Sequence, residues 1–195
     1  MWYRVRMQKR HIITIGGRPG SGKSTTARKV AEKLGYERFS SGDFMRAIAK
    51  DRGVTIEELN VIAETEPAID KEVDGKLRTF EKAGDNLVID SRLAFHWIPD
   101  SFKVYLNISR DEAIRRIYSD TAKSRVETSE ALKSPEDALE AVEKRLASER
   151  KRYRELYDVD PYDPKHFDLV IDTGDNNIEN VIETIVSSYN KWLIS

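Results

Sequence analysis

Gly17-Arg18-Pro19-Gly20-Ser21-Gly22-Lys23-Ser24 is the run with the most specific chemistry in this chain. It fits G-x-x-x-x-G-K-[ST], in which glycines let backbone N–H groups turn inward around phosphate oxygens. Gly17, Pro19, Gly20, Ser21 and Gly22 shape that cradle, and Lys23 reaches toward β- and γ-phosphates. The Ser24 hydroxyl is the expected metal ligand, holding Mg²⁺, and Thr25 completes the run. A helix opening here adds its N-terminal dipole.

Other residues fall where a phosphate acceptor would sit. Ser40-Ser41-Gly42-Asp43-Phe44-Met45-Arg46 places Asp43 and Arg46 three apart at a predicted helix start, on one face. Asp43 also reads as the N3 partner of Ser40 in a capping box. Asp90-Ser91-Arg92 closes an apolar run at the carboxyl edge of a strand, where ligands sit in open parallel sheets. An Asp there orients water on Mg²⁺, and Arg92 points into the same crevice or into a surface ion pair. Arg145, Glu149 and Arg152, at i, i+4 and i+7, form one stripe on a predicted helix. That stripe is either a binding face or a solvated face of i,i+4 pairs.

The elements that must position these groups follow from periodicity. His11–Gly16 is short, β-branched and ended by glycine, which predicts a buried parallel strand. A helix follows, with Ala27, Val30, Ala31 and Leu34 on one face and Gly35 as its stop. Glu37–Ser40 predicts a strand, and a helix from Ser40 or Ser41 runs to about Arg52. Thr55 starts another, and Pro67 sits in the first turn of a third that ends near Gly84. Leu87–Asp90 and Phe102–Ile108 are strands, Arg110–Asp120 a helix, and polar Thr121–Ser134 the expected mobile segment. A long helix spans Pro135–Tyr157, with Leu139, Val142, Leu146 and Tyr153 on its apolar face. Asp168–Asp172 is the last strand and Ile178–Leu193 the last helix. Strands alternating with helical crossovers predict an α/β fold, a parallel sheet covered on both faces.

Composition bounds the rest. The 195 residues suit one domain, 1–195, able to bury roughly 70% of its unfolded surface. Lys+Arg number 33 against 34 Asp+Glu, so a globally basic nucleic-acid or membrane-surface protein is not expected. With no Cys there is no disulfide frame, thiolate metal site or cysteine nucleophile. No stretch approaches the roughly 18 consecutive apolar residues of a spanning helix, and Met1–Arg10 lacks a signal-peptide core. The expectation is a cytoplasmic monomer acting on small molecules, without membrane or nucleic-acid partners. His11, His96 and His166 are too scattered for a metal site. Trp2 and Trp192 read as packing residues, and Glu136, Asp137, Glu140 and Glu143 as a solvated face.

A switch GTPase needs D-x-x-G and N-K-x-D; the first is missing, and Asn190-Lys191-Trp192-Leu193 lacks the final Asp. Large ATPase motors need a longer chain. What remains is a small kinase moving a γ-phosphoryl group onto a small acceptor, which needs arginines converging on the phosphates.

At these residues the chain resembles the nucleoside monophosphate kinases, and most closely the archaeal-type cytidylate kinases. Beside the P-loop, Ser40–Arg46 matches S-x-G-D-x-x-R, and Ala63–Asp70 resembles the family's acidic stretch before its acceptor helix. Ser91-Arg92-Leu93-Ala94, with Trp97 close by, matches a post-strand G/S-R-L-A segment. Arg145, Ser148, Glu149, Arg152 and Tyr153 match R-x-x-S-E-x-x-R-Y, and Phe167–Thr173 matches the closing strand. The likeness covers roughly Ile12–Val186. The P-loop is shared by many families; the other elements in this order are specific.

The resemblance implies a P-loop kinase fold: a five-stranded parallel sheet with helices on both faces, an acceptor-binding segment at 41–84 and a lid at 119–135. It implies ATP as donor with Mg²⁺, and CMP or dCMP as acceptor under Ser41–Gly84. Lys23, Arg116, Arg152 and Asp90 take catalytic roles, Arg116 reaching the phosphates as the lid closes. Arg46 and Arg152 hold the acceptor phosphate, Arg92 lies against the pyrimidine or its phosphate, and Arg145 and Glu149 face the sugar. Ser41 and Asp43 belong to the same pocket, and Asp70 or Asp74 is available to a cytosine amine. The chain departs from the family at Asp120, where relatives carry an Arg that Lys123 or Arg125 would replace. Phe95-His96 replaces a small residue and is expected to reshape the acceptor pocket. Other readings are a kinase of AMP, UMP or a shikimate-like acceptor, and an adenylate-kinase-like ATPase serving an assembly partner.

Overall fold

The computed structural model describes residues 9–123 and 134–195. Ile12–Gly17 forms β1, buried along its whole length, in the centre of a five-stranded parallel sheet. The other strands are Glu37–Ser40 (β2), Leu87–Asp90 (β3), Phe102–Asn107 (β4) and Leu169–Asp172 (β5), in the order β2-β3-β1-β4-β5. Register does the positioning. Asp90 pairs with Ile15 of β1 on one side and Ser40 of β2 on the other. The chain leaving β1 therefore emerges beside Asp90 and Ser40, at the carboxyl edge.

Alternation along β1 divides the core into two layers. Ile13 and Ile15 pack with Val30 of α1 (Lys23–Leu34) and Ile185 and Tyr189 of α8 (Ile178–Ile194). Ile12 and Ile89 face the other way, against Leu77 of α4 (Pro67–Ala83) and Ala94 and Ile98 around α5 (Ala94–Trp97). A separate small core of Ile48, Leu59, Ile69 and Val73 knits together α2 (Ser41–Arg52), α3 (Ile56–Ile62) and α4. This makes the acceptor segment a packed unit. A fourth cluster, Leu93, Phe95, Tyr153 and Val159, pins α7 (Pro135–Tyr157) to the chain after β3.

Local signals act as their chemistry requires. Gly35 and Gly53 take left-handed conformations that end α1 and α2. Thr55 with Glu58, and Ser134 with Asp137, form complete capping boxes. The box expected at Ser40 is only half formed. Ser40 accepts from the Asp43 amide at 3.3 Å, but the Asp43 carboxylate turns to Arg38 and Arg46.

Several expectations are corrected. α6 spans Arg110–Lys123, so 121–123 extend a helix and do not begin an irregular segment. Ala94–Trp97 and the 3-10 turn Pro164–His166 are too short for a periodic signal and went unforeseen. Tyr153 leaves the face of Leu139, Val142 and Leu146: those three line a groove against Ala113 of α6, whereas Tyr153 turns toward Leu93. Trp192 packs on Phe102 and Tyr189 as expected. Trp2, Arg125 and the lid residues 124–133 lie outside the described residues, as do the side chains of Asp120 and Lys123.

Candidate active site

The loop after β1 wraps tightly because it lacks side chains at the approach points. A Cβ on Gly17, at φ 143°, would sit 2.4 Å from the Leu106 carbonyl oxygen; one on Gly20, at φ 79°, would meet the Ala113 carbonyl oxygen at 2.8 Å. Ser21 Oγ is buried in this loop without a hydrogen-bond partner. Lys23 follows Gly22, whose left-handed conformation caps α1. Lys23 Nζ donates to the Arg18 carbonyl at 2.8 Å. Burial pushes the Lys23 amine down, Arg92 and Arg145 push the same way, and Asp90 and Glu149 pull back, leaving it at about 8.

Ser24 Oγ donates to Asp90 Oδ2 at 2.6 Å, joining the first turn of α1 to the end of β3. Asp90 is buried, with Arg38 at 3.8 Å. A hydroxyl beside a carboxylate is a hard oxygen donor set suited to Mg²⁺ with its waters. Together with the orphaned Ser21 hydroxyl and the glycine-shaped loop, it fits a magnesium–nucleoside triphosphate. Among the described residues, no group of three or more His, Cys, Asp or Glu is arranged to hold a metal by itself.

Beyond this loop lies a cleft lined by α2, α3 and α4, by the chain after β3 and by α7. Ser41, Asp70, Asp74, Arg92, Arg145, Glu149 and Arg152 all line it. Glu149 is 2% exposed and anchors the wall. Arg92 Nε lies 2.5 Å from its Oε2, Arg145 Nε donates to Oε1 at 3.0 Å, and the Tyr162 hydroxyl donates to Oε2. Burial opposes the Glu149 charge, yet Arg92, Arg145 and Tyr162 overcome it and hold the carboxyl down at about 2. Burial likewise opposes the Arg92 charge, but adjacent Glu149 raises its pKa further.

Asp70 and Arg152 form a second buried pair, with Arg152 Nη1 3.4 Å from Asp70 Oδ2. The contact is poorly aligned: Asp70 Oδ2 and Arg152 Nε and Nη1 all lack a hydrogen-bond partner. Burial lifts the Asp70 carboxyl, Arg152 restrains it, and nearby Asp74 adds to the rise, for a value of about 6. Asp74 is also raised by burial, but the Tyr157 hydroxyl donates to it and moderates the shift.

The cleft thus gathers the expected residues from α2, α4, α7 and the chain after β3, where Ser91 and Arg92 directly follow Asp90. The stripe on α7 is not a solvated face, since Glu149 and Arg152 are buried. Other expected residues lie elsewhere. Asp43 and Arg46 pair with one another on the surface, their side chains 52% and 58% exposed, and neither lines the cleft. Arg116 is held by other partners: it donates to Glu112 Oε1 at 2.8 Å and the Thr173 carbonyl at 2.7 Å. Phe95 stacks on His166 and touches Phe167, while His96 meets Trp97 and Tyr157. Neither lines the cleft itself, but Phe95 packs with Leu93 and Tyr153, which do.

Tyr157 and Tyr162 were missed. Tyr157 stands eight residues after Glu149 on the same helix, a usable helical signal. Tyr162 lies beyond the left-handed Asp158 that ends α7, and no spacing rule announces its return to Glu149.

A model of the cytidylate kinase-like family matches residues 12–175. A cytidylate kinase from Halobacterium salinarum is 36% identical over 184 residues, covering 91% of this chain and 90% of that protein. An S-adenosylmethionine-dependent nucleotide dehydratase from Lacinutrix mariniflava is 34% identical over 92% of this chain, which spans only 36% of that longer protein. Among solved structures, the shikimate kinase of Bacteroides thetaiotaomicron superimposes with a TM-score of 0.61 at 16% identity, covering 90% of this chain and 96% of that one, a likeness of fold alone. Family match, near full-length identity and parallel-sheet topology agree: the chain belongs to the cytidylate kinase-like family.

Proposed function

We propose that the protein transfers the γ-phosphoryl group of ATP to CMP or dCMP, giving ADP and CDP or dCDP. The observation that carries this reading is a cleft lined by Arg92, Arg145 and Arg152 with Asp70, Asp74 and Glu149, two of whose arginines act on the phosphate-loop lysine. An acceptor phosphate oxygen forms the new bond to the γ-phosphorus as the bond to the ADP oxygen breaks. Mg²⁺ would supply charge neutralisation on the donor phosphates. Ser24 and Asp90 would hold it, and Lys23, beside the loop carbonyl of Arg18, would follow the moving charge. Arg92 and Arg145 stand near enough to Lys23 to depress its pKa, so they bring positive charge to the transfer point. For Arg46 and Arg116 to join, each would have to leave its present partner, Asp43 or Glu112.

Glu149 bears on the sugar. Arg92, Arg145 and Tyr162 already share its two oxygens, and a carboxylate offers no steric bar to a missing 2′-hydroxyl, so CMP and dCMP should be used comparably. No helix among the described residues is long and apolar enough to cross a membrane. We take the working form to be a cytoplasmic monomer using small nucleotides. Coupled ADP release across CMP, dCMP, UMP, AMP and shikimate tests the reading: CMP and dCMP should lead with similar kcat/KM. AMP or UMP ahead of CMP would overturn the acceptor assignment, and ADP release indifferent to any acceptor would overturn the kinase reading.

A further inference from the structure

Asp90 joins the phosphate loop to the acceptor segment. Its Oδ2 receives the Ser24 hydroxyl at 2.6 Å and the Ser40 hydroxyl at 3.5 Å, and Arg38 Nη2 lies 3.8 Å from the same oxygen. Side chains alternate along a strand, so Arg38 and Ser40 share the face of β2 that meets Asp90. Arg38 Nη2 also donates to Asp43 Oδ2 at 3.0 Å, while Arg46 pairs with the other oxygen, Oδ1. Charges of alternating sign thus run from the end of β3 into α2: Asp90, Arg38, Asp43, Arg46. Their side chains are 7%, 26%, 52% and 58% exposed in that order, so the hold on each member loosens outward. Arg38 belongs to none of the sequence motifs.

We propose that Arg38 is a positioning residue for phosphoryl transfer: it exchanges Asp90 for Asp43 when Asp90 takes up the donor's magnesium, and so frees Arg46 for the acceptor phosphate. Arg46 keeps the role that the family resemblance implies. This inference rests on the proposed reaction.

Competition for one carboxylate at each end is the physical reason. Ser24 and Arg38 approach the same oxygen of Asp90, and a divalent cation held there repels a guanidinium a few ångströms away. Arg38 already reaches Asp43, so the exchange is a matter of side-chain torsion. Asp43, bound more fully by Arg38, then holds Arg46 less, and Arg46 is the most exposed of the four. Ser40 bridges the same two acids, donating to Asp90 and accepting from the Asp43 amide at 3.3 Å. That neutral bridge fixes their spacing while the charge moves between them. Linkage makes the effect reciprocal: an acceptor that draws Arg46 away leaves Asp43 to Arg38 and relieves Asp90.

Calorimetric titration of CMP into protein saturated with β,γ-imido-ATP, in Mg²⁺ or in EDTA, gives two Kd values whose ratio reads the coupling. In the wild type Mg²⁺ should tighten CMP. Part of that gain comes from neutralising the donor phosphates, and about two- to five-fold of it, the range for an exposed ion pair, comes through Arg38. Arg38→Gln should lose that factor from the ratio, and Arg38→Lys, which keeps the charge, should restore part of it. Asp43→Asn should lose the same factor, and its exposed side chain keeps the test available if Arg38→Gln does not fold. A merely structural role would weaken CMP alike in Mg²⁺ and EDTA and leave the ratio at the wild-type value; that result in Arg38→Gln or Asp43→Asn overturns the inference. So does a wild type that binds CMP equally well with and without Mg²⁺. Both outcomes leave the kinase reading standing, whereas a wild type that binds no CMP in either condition removes both.

Discussion

Lys23→Met should make the unliganded protein more stable while abolishing phosphoryl transfer. The Lys23 amine is brought from its ordinary 10.5 to about 8 chiefly by burial. At about 1.4 kcal/mol per pH unit, keeping it charged in the folded chain costs on the order of 3 kcal/mol. Two terms reduce the gain on replacement. The amine donates to the Arg18 carbonyl at 2.8 Å, a bond worth about 1.5 kcal/mol, and water reaching this half-buried side chain screens part of the penalty. A net gain of about 1–2 kcal/mol remains, and each kcal/mol is about 2–4 °C in Tm for a chain of this size. The sign follows from proton counts. Below pH 8 the amine is charged in both folded and unfolded chains, and the penalty is complete. Between 8 and 10.5 the unfolded chain holds the proton more tightly, so wild-type stability rises with pH relative to the variant; above 10.5 the gap has closed. Urea melts of both proteins at pH 7, 9 and 10.5, beside the ADP-release assay, measure this. A variant less stable than wild type at pH 7, or a gap that widens with pH, would refute the claim that this lysine is held charged at a cost.

Tyr162→Phe removes a buried hydrogen bond to the Glu149 carboxylate and should cost about 1.5–3 kcal/mol in urea melts. It should also raise the acceptor KM while leaving the KM for ATP nearly unchanged, since Tyr162 acts through Glu149. Gly20→Ala forces a Cβ to within 2.8 Å of the Ala113 carbonyl oxygen at φ 79°, whereas Gly53→Ala, at φ 69°, meets nothing within 4 Å. The Gly53 variant should lose only the roughly 1–2 kcal/mol of a left-handed Ala. The Gly20 variant should lose more and raise the KM for ATP specifically, as thermal melts and ATP titrations will show.

Much of this molecule follows from local rules that a sequence displays. The run at Gly17–Ser24 reads as a loop between a strand and a helix, because three of its glycines take positive-φ conformations that other residues rarely adopt. The predicted strands recur within a residue or two, since buried parallel strands read as short apolar runs bounded by turn residues. The spacing of Arg145, Glu149 and Arg152 sets them on one helical face whatever the rest of the fold does. Those are properties of neighbours along the chain.

Which charge meets which is a property of distant neighbours, and only tertiary packing decides it. Asp43 and Arg46 share a face as their spacing requires, but that closeness lets them neutralise each other on the surface. Arg116 has a local carboxylate, Glu112, and a distant carbonyl, Thr173, and donates to both. Phe95 and His96 find their ring partners, His166, Phe167 and Tyr157, more than 60 residues along the chain. Asp70 and Arg152, more than 80 residues apart, meet because β3 seats α4 and α7 on opposite sides of one cleft. Backbone geometry and periodicity along the chain are enough to read the phosphate loop, the strands and the α7 stripe. The pairing of buried charges depends on the desolvation and Coulomb energies of contacts that exist only once the chain has folded.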